Sequence, residues 1–257
     1  MSSIAFTNIA TLVTNDQTVG NGLLGVRNEV TLVIDKGVIS SISSQVPSGV
    51  DAVVDCTGKS ALPGFVDSHT HMIFAGDRAP EFASRSRGEK YSAGGIRTTV
   101  DATRSATSAE LSSNAQRLLD EALSQGTTTV EIKSGYGLNL AEEARSIDIA
   151  SQFTDETTLL AAHVVPDEFG NDPDSYVRLV IDQIIPQSRA KWIDVFCDAG
   201  AFTGEQSEAI LRAGIKHGML PRIHANQLQA GRGAEIAVAL DAASADHLGA
   251  STNADIE

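Results

Sequence analysis

Over residues 1 to about 60 the apolar positions come in short, β-branched runs separated by turn-forming residues. EVTLVIDKGVISSI places such runs on both sides of Asp35-Lys36-Gly37, the signature of a β-hairpin. AVVDCTGKSALPGF then leads into Pro63-Gly64 with no amphipathic helix on the way. The pattern predicts a small β module over residues 1–60.

From Ala61 onward, strand-like runs alternate with helical periodicity. LPGFVDSHTH reads as a strand, and residues 72–106 after it read as irregular, rich in Gly and Arg. TSAELSSNAQRLLDEALSQG carries Thr107-x-x-Glu110, a capping box, and ends at Gly126, so it predicts a helix with both ends marked. TTTVEIKSGYG, TTLLAAHVVP, WIDVFCD, LPRIHANQ and AASADHLG read as further strands. Helical patterns lie between them, opened by Asn139-x-x-Glu142 and Thr203-x-x-Gln206, with YVRLVIDQIIPQ and EIAVALDA also helical. Asn253 starts a last one.

Repeated βα units favour an α/β fold with a parallel sheet and right-handed crossovers. A doubly wound sheet and a (β/α)8 TIM barrel both share this rhythm. The polar residues help to choose: His71, Tyr136, His163, Asp198, His224 and His247 fall at or just beyond strand C-terminal ends, the rim where barrel active sites form. A barrel needs eight strands and about 250 residues, whereas residues 61–257 supply about six. The expectation is a (β/α) barrel over residues 61–257 whose last two strands lie beyond the chain.

Composition changes little in this picture. At 42% hydrophobic and 20% charged residues the chain is ordinary for a globular protein. A formal charge of −14 argues against nonspecific nucleic-acid binding, which rests on clustered Lys and Arg. No apolar run approaches the roughly 18 residues of a membrane span, and the N-terminus lacks a secretory pattern. Cys56 and Cys197 form no CxxC motif, so a reduced, cytoplasmic setting is expected.

The chemistry concentrates in histidine. His69-Thr70-His71 puts two imidazoles at i and i+2, a spacing that sends both side chains to one face of a strand. Imidazole suits zinc or iron. A hydrogen-bonded polar pair at a strand end is the plainer alternative for that motif alone. His224 and His247 occupy the same place on two later strands and His163 on another, which favours a shared site. His217, in a helix's last turn, needs no function beyond the helix dipole.

PGFVDSHTH resembles the opening motif of the amidohydrolase superfamily, metal-dependent hydrolases built on a (β/α)8 barrel with a small β-sandwich. Within it the chain is similar to the imidazolonepropionase family of histidine degradation. HTHMIFAGDR, the Lys90-Tyr91 region before AGGI, EIKSGYGL, LLAAHVVP, IDVFCDAGAFT, RIHANQ and SADHLG carry the likeness, in order, across nearly the whole chain.

The resemblance implies one divalent or trivalent metal ion, zinc or iron, held by His69, His71 and His224. It implies a catalytic His247 beside the nucleophilic water, and Arg78, Tyr91, Tyr136 and His163 as substrate-binding residues. Arg78 suits a carboxylate clamp; its alternative is an ion pair with Asp77 or Glu81. Tyr136, between Gly135 and Gly137, is not expected in the core, whereas Tyr176, on a helix, is. The implied reaction is hydrolysis of the ring amide C–N bond of 4-imidazolone-5-propanoate to N-formimidoyl-L-glutamate, with a metal-acidified water as nucleophile. Gln227 stands where family members often carry an acid, so substrate binding alone is expected of it. The implied aspartate of an eighth strand, a ligand and proton shuttle, has no counterpart; residues 1–257 by themselves are expected to be poorly active. A small-molecule substrate with a carboxylate, a homodimer at full length, and no nucleic-acid or membrane partner complete the expectations. The alternatives are another amidohydrolase, such as a cyclic amidase or nucleobase deaminase, and a non-catalytic fragment.

Overall fold

The computed structural model describes residues 3–88 and 94–256, and the chain divides into two compact units, Met1–Phe65 and Val66–Glu257. The first unit is a sheet of β1 (Ile4–Val13), β2 (Val26–Asp35), β3 (Val38–Ser43), β4 (Ala52–Asp55) and β5 (Ser60–Ala61). Its order is β3-β2-β1-β4, with β5 also paired to β1. β2 and β3 are antiparallel and joined through Lys36 and Gly37, whose φ angles of 52° and 82° are those of the tight hairpin turn whose twist matches the strands. Ile9, Leu12 and Val30 are its buried centre.

The second unit is built on a parallel sheet. β6 (Phe65–Thr70), β7 (Thr127–Lys133), β8 (Thr157–Ala162), β9 (Trp192–Cys197), β10 (Leu220–Pro221), β11 (Ile223–Ala225) and β12 (Ala245–His247) are its strands. Their order is β12-β11-β9-β8-β7-β6, with β10 beside β9. β10 and β11 are one sequence strand interrupted at Arg222, whose guanidinium lies 4.1 Å from the centre of the Trp192 ring. Six sequential positions, each separated from the next by helix, make this the amidohydrolase-type α/β fold expected. β6 and β12 are its edges, and His69 of one meets Asp246 of the other at 2.9 Å, so the sheet is strongly curled.

The helices in residues 72–106 correct the irregular reading of that segment. α1 (Ala79–Ser86) and α2 (Gly94–Ser105) lie there. Along α2 the buried positions are Ile96, Thr99, Val100 and Thr103, a helical stripe whose two threonines hide it from a search for purely apolar periodicity. The remaining helices are α3 (Ser108–Ser124), α4 (Leu140–Ala150), α5 (Pro173–Leu179), α6 (Ile185–Gln187), α7 (Gly204–Lys216), α8 (Gly233–Ala239) and α9 (Asn253–Ile256). Thr107 and Thr203 make reciprocal capping boxes with Glu110 and Gln206, and Asn139 caps α4. A π-helical turn, Val180–Ile184, joins α5 to α6, where Pro186 supplies no backbone N–H. Tyr176 is fully buried and donates its hydroxyl to the Ala161 carbonyl.

Candidate metal and substrate site

β6 delivers its histidines as the i, i+2 spacing predicts. The side chain of the intervening Thr70 is buried with its hydroxyl donating to the Glu131 carbonyl, which leaves His69 and His71 together. His69 Nε2 lies 3.2 Å from His71 Nε2, and His224 Nε2 approaches the same atom to 3.4 Å from β11. Three ring nitrogens therefore converge, and His69, His71 and His224 form a group that can hold a metal ion. Their surroundings fit a cation. The Nδ1 atoms of His69 and His224 each face a carboxylate at 2.9 Å, Asp246 and Asp194 respectively. Only the His69 contact has hydrogen-bond geometry; a proton on each Nδ1 would leave each Nε2 a lone pair for a metal ion. His71 is pushed well below the ordinary histidine range by burial and by neighbouring imidazoles, which holds it toward the neutral form that a metal ion requires.

A layer of charge lies beneath these rings. Lys133 Nζ is 2.9 Å from Asp194 Oδ2, 3.0 Å from Glu131 Oε1 and 3.8 Å from Asp246 Oδ2. Burial works against its ammonium, but Asp194 and Glu131 outweigh that and hold its pKa above the lysine norm. Burial likewise pushes Asp194 up, yet His224 and Lys133 bring it well below the usual carboxylate range. Asp246 is lowered too, burial being outweighed by His69 and Lys133. Sequence reasoning passed over Lys133, Glu131 and Asp194. The available signal was three charged residues inside otherwise buried strands, with Glu131 and Lys133 on one face at i, i+2.

His163 lies on the other side of His71, its ring stacked at 5.3 Å. Its Nδ1 is 3.0 Å from the Gly135 carbonyl, so that nitrogen carries the proton and Nε2 is an acceptor. Burial, followed by the charge interaction with His224, lowers its pKa to about 3, and Arg78 adds a smaller lowering. Tyr136 is buried against His71, His163 and Phe74. This corrects the expectation that it stays out of the core: φ of 112° at Gly135 turns the loop after β7 inward. His247 ends β12 with its ring 5.2 Å from His69 and 5.1 Å from His224. Burial and both neighbours lower its pKa. Gln227 follows β11, its backbone N–H donating to Asp198 Oδ2. Asp198 does not join the cluster; its carboxylate accepts from the backbone of Ala199, Gln227 and Leu228 instead. Tyr91 lies outside the described residues. His217 ends α7 with its ring against the Ala213 carbonyl, as a helix terminus favours. A concavity of about 1040 Å³, lined by Ser112, Gln116, Asp120 and Phe153, shares no residue with this site.

Residues 52–163 match the amidohydrolase family. Over its whole length the chain is 51% identical to an imidazolonepropionase of Nocardia farcinica, covering 66% of that protein. It is 52% identical to one of Streptomyces griseus, again over the whole chain and covering 67% of the relative. The chain thus spans about two thirds of the length of these curated relatives. Among solved structures, a prolidase complexed with N-methylphosphonate-L-proline superposes with a TM-score of 0.58 at 16% identity, over 99% of this chain and 63% of the other. At that identity the likeness is one of fold.

Proposed function

The chain belongs to the imidazolonepropionase family of the amidohydrolases, and on that premise we propose that it forms the metal-binding and substrate-binding part of an enzyme that hydrolyses 4-imidazolone-5-propanoate to N-formimidoyl-L-glutamate. The observation that carries the reading is the convergence of His69, His71 and His224 nitrogens at 3.2 and 3.4 Å. Those three residues would hold zinc or iron. When bound, the ion acidifies water, so that a hydroxide nucleophile is available near neutral pH.

The other residues position the ring. Arg78 takes the propionate carboxylate in a bidentate clamp. His163, neutral because it is buried, offers Nε2 to a ring N–H, and Tyr136 bounds a face of the ring; Tyr91 is assigned to substrate binding by the family likeness alone. Gln227 hydrogen-bonds the ring amide through its side chain. His247, also held toward its neutral form, donates to the oxygen of the ring carbonyl as charge develops there. Water adds to the carbonyl carbon, the C–N bond breaks, and the ring nitrogen leaves protonated as part of the formimidoyl group. A carboxylate-bearing small molecule as substrate, a cytoplasmic setting, a homodimer, and no nucleic-acid or membrane partner belong to the same proposal. For the last of these, no helix among the described residues is long and apolar enough to cross a membrane.

The test is direct. Protein carrying this chain is loaded with zinc or iron(II), and product is identified by chromatography with and without a chelator. Metal-dependent formation of N-formimidoyl-L-glutamate is expected. Turnover of a hydantoin or a nucleobase in preference to the imidazolone would overturn the substrate assignment.

A further inference from the structure

Two of the three converging histidines are held from behind by carboxylates, and one side chain joins those carboxylates. Asp246 Oδ2 is 2.9 Å from His69 Nδ1, and Asp194 Oδ2 is 2.9 Å from His224 Nδ1. Lys133 Nζ lies 3.8 Å from the former oxygen and 2.9 Å from the latter. We propose that Lys133 is a positioning residue: it clamps Asp246 and Asp194 so that the imidazoles of His69 on β6 and His224 on β11 both present Nε2 to a metal ion.

The rest of the cluster serves the same end. Asp194 Oδ1 accepts from the backbone N–H of Val195 at 2.7 Å and of His224 at 3.2 Å, so its orientation is fixed by β9 and β11 together. Glu131, the third acid on Lys133, accepts from the Thr158 hydroxyl and, through Oε2, from the Thr70 backbone N–H. Thr70 sits between His69 and His71, so the same ammonium braces the backbone that carries both. Lys133, Asp194 and Glu131 are almost wholly buried, where the geometry of an ion pair is hardest to lose. Three acids face one ammonium, and a cation held above the imidazoles would offset the acids' excess. Outer partners of this kind fix ring orientation and ligand basicity, and their loss typically weakens metal binding about 10- to 100-fold.

The inference rests on the metal-site reading, so the experiment separates the two. Zinc affinity is measured by chelator competition, cobalt(II) absorption spectra are recorded, and Tm of the metal-free form is taken, for the parent and for Lys133→Met. A double variant, Lys133→Met with Glu131→Gln, relieves the unpaired charge should the single one fail to fold. Affinity lower by about 10- to 100-fold with an altered cobalt spectrum, in whichever variant keeps a cooperative unfolding transition, supports the positioning role. Parent-like affinity and spectrum in a folded variant overturn it, even where Tm falls. In the unmutated metal-free protein, 15N NMR of the histidines reads the tautomers directly. Nδ1–H at both His69 and His224 is expected, and Nε2–H at either overturns the assignment whatever the variants do. A parent that binds neither zinc nor cobalt overturns the metal-site reading instead.

Discussion

At the scale of the residue, the site runs on side chains whose charge state is set by burial. His163 has a folded pKa of about 3 against its ordinary 6.5. Between those values the unfolded chain binds a proton that the folded chain refuses. Stability is therefore complete above about pH 6.5 and falls as pH drops toward 3, by about 1.4 kcal/mol per unit for this one group. In metal-free protein, His163→Gln is expected to flatten that acid limb, read from urea midpoints between about pH 4 and 6.5; an unchanged slope would show that the group titrates normally. Arg78 is expected to act on binding rather than on chemistry. Arg78→Ala should cost about 2 to 3 kcal/mol, roughly 30- to 150-fold in KM, the range for hydrogen bonds to a charged group, with kcat affected far less. Steady-state kinetics decide it, and an unaltered KM would remove the carboxylate clamp from the mechanism.

At the scale of the element, helices hold the histidine-bearing strands in place. Gly233, in the first turn of α8, faces β11 so closely that a Cβ there would lie 2.5 Å from Ala225 Cβ. Ala225 is the neighbour of His224, so Gly233→Ala must push helix and strand apart. A cost of about 1–3 kcal/mol from overpacking is expected, together with weaker zinc binding. Thr203→Ala, which removes the cap of α7, should cost about 1 kcal/mol and leave zinc binding alone. Chemical denaturation and chelator competition on both variants test the contrast. The caps themselves were legible in the sequence, because Thr107-x-x-Glu110 and Thr203-x-x-Gln206 satisfy backbone groups within a single turn. α1 and α2 were not, because part of the stripe buried by α2 is threonine.

At the scale of the whole molecule, the proposed metal centre links residues far apart in the chain. His69 comes from β6 and His71 from the residue just after it, and His224 from β11, on the other side of the sheet order. An ion bound by all three stabilises only the folded arrangement. Zinc at 1,000 times its Kd is expected to add about 4 kcal/mol, visible as a concentration-dependent rise in Tm by calorimetry. A Tm indifferent to zinc would speak against a shared centre. The sequence by itself determined the alternation of strand and helix, the paired histidines at i, i+2 and the family, since each is written in local spacing or in ordered motifs. Tertiary structure alone decided that Asp246 meets His69, that Asp194 meets His224, and that Lys133 lies between them. Those contacts join strands scattered from residue 69 to residue 246, and they exist only because a curled parallel sheet turns the ends of its strands toward one centre. The opening pair of histidines was readable from its spacing; the charges that aim it were not.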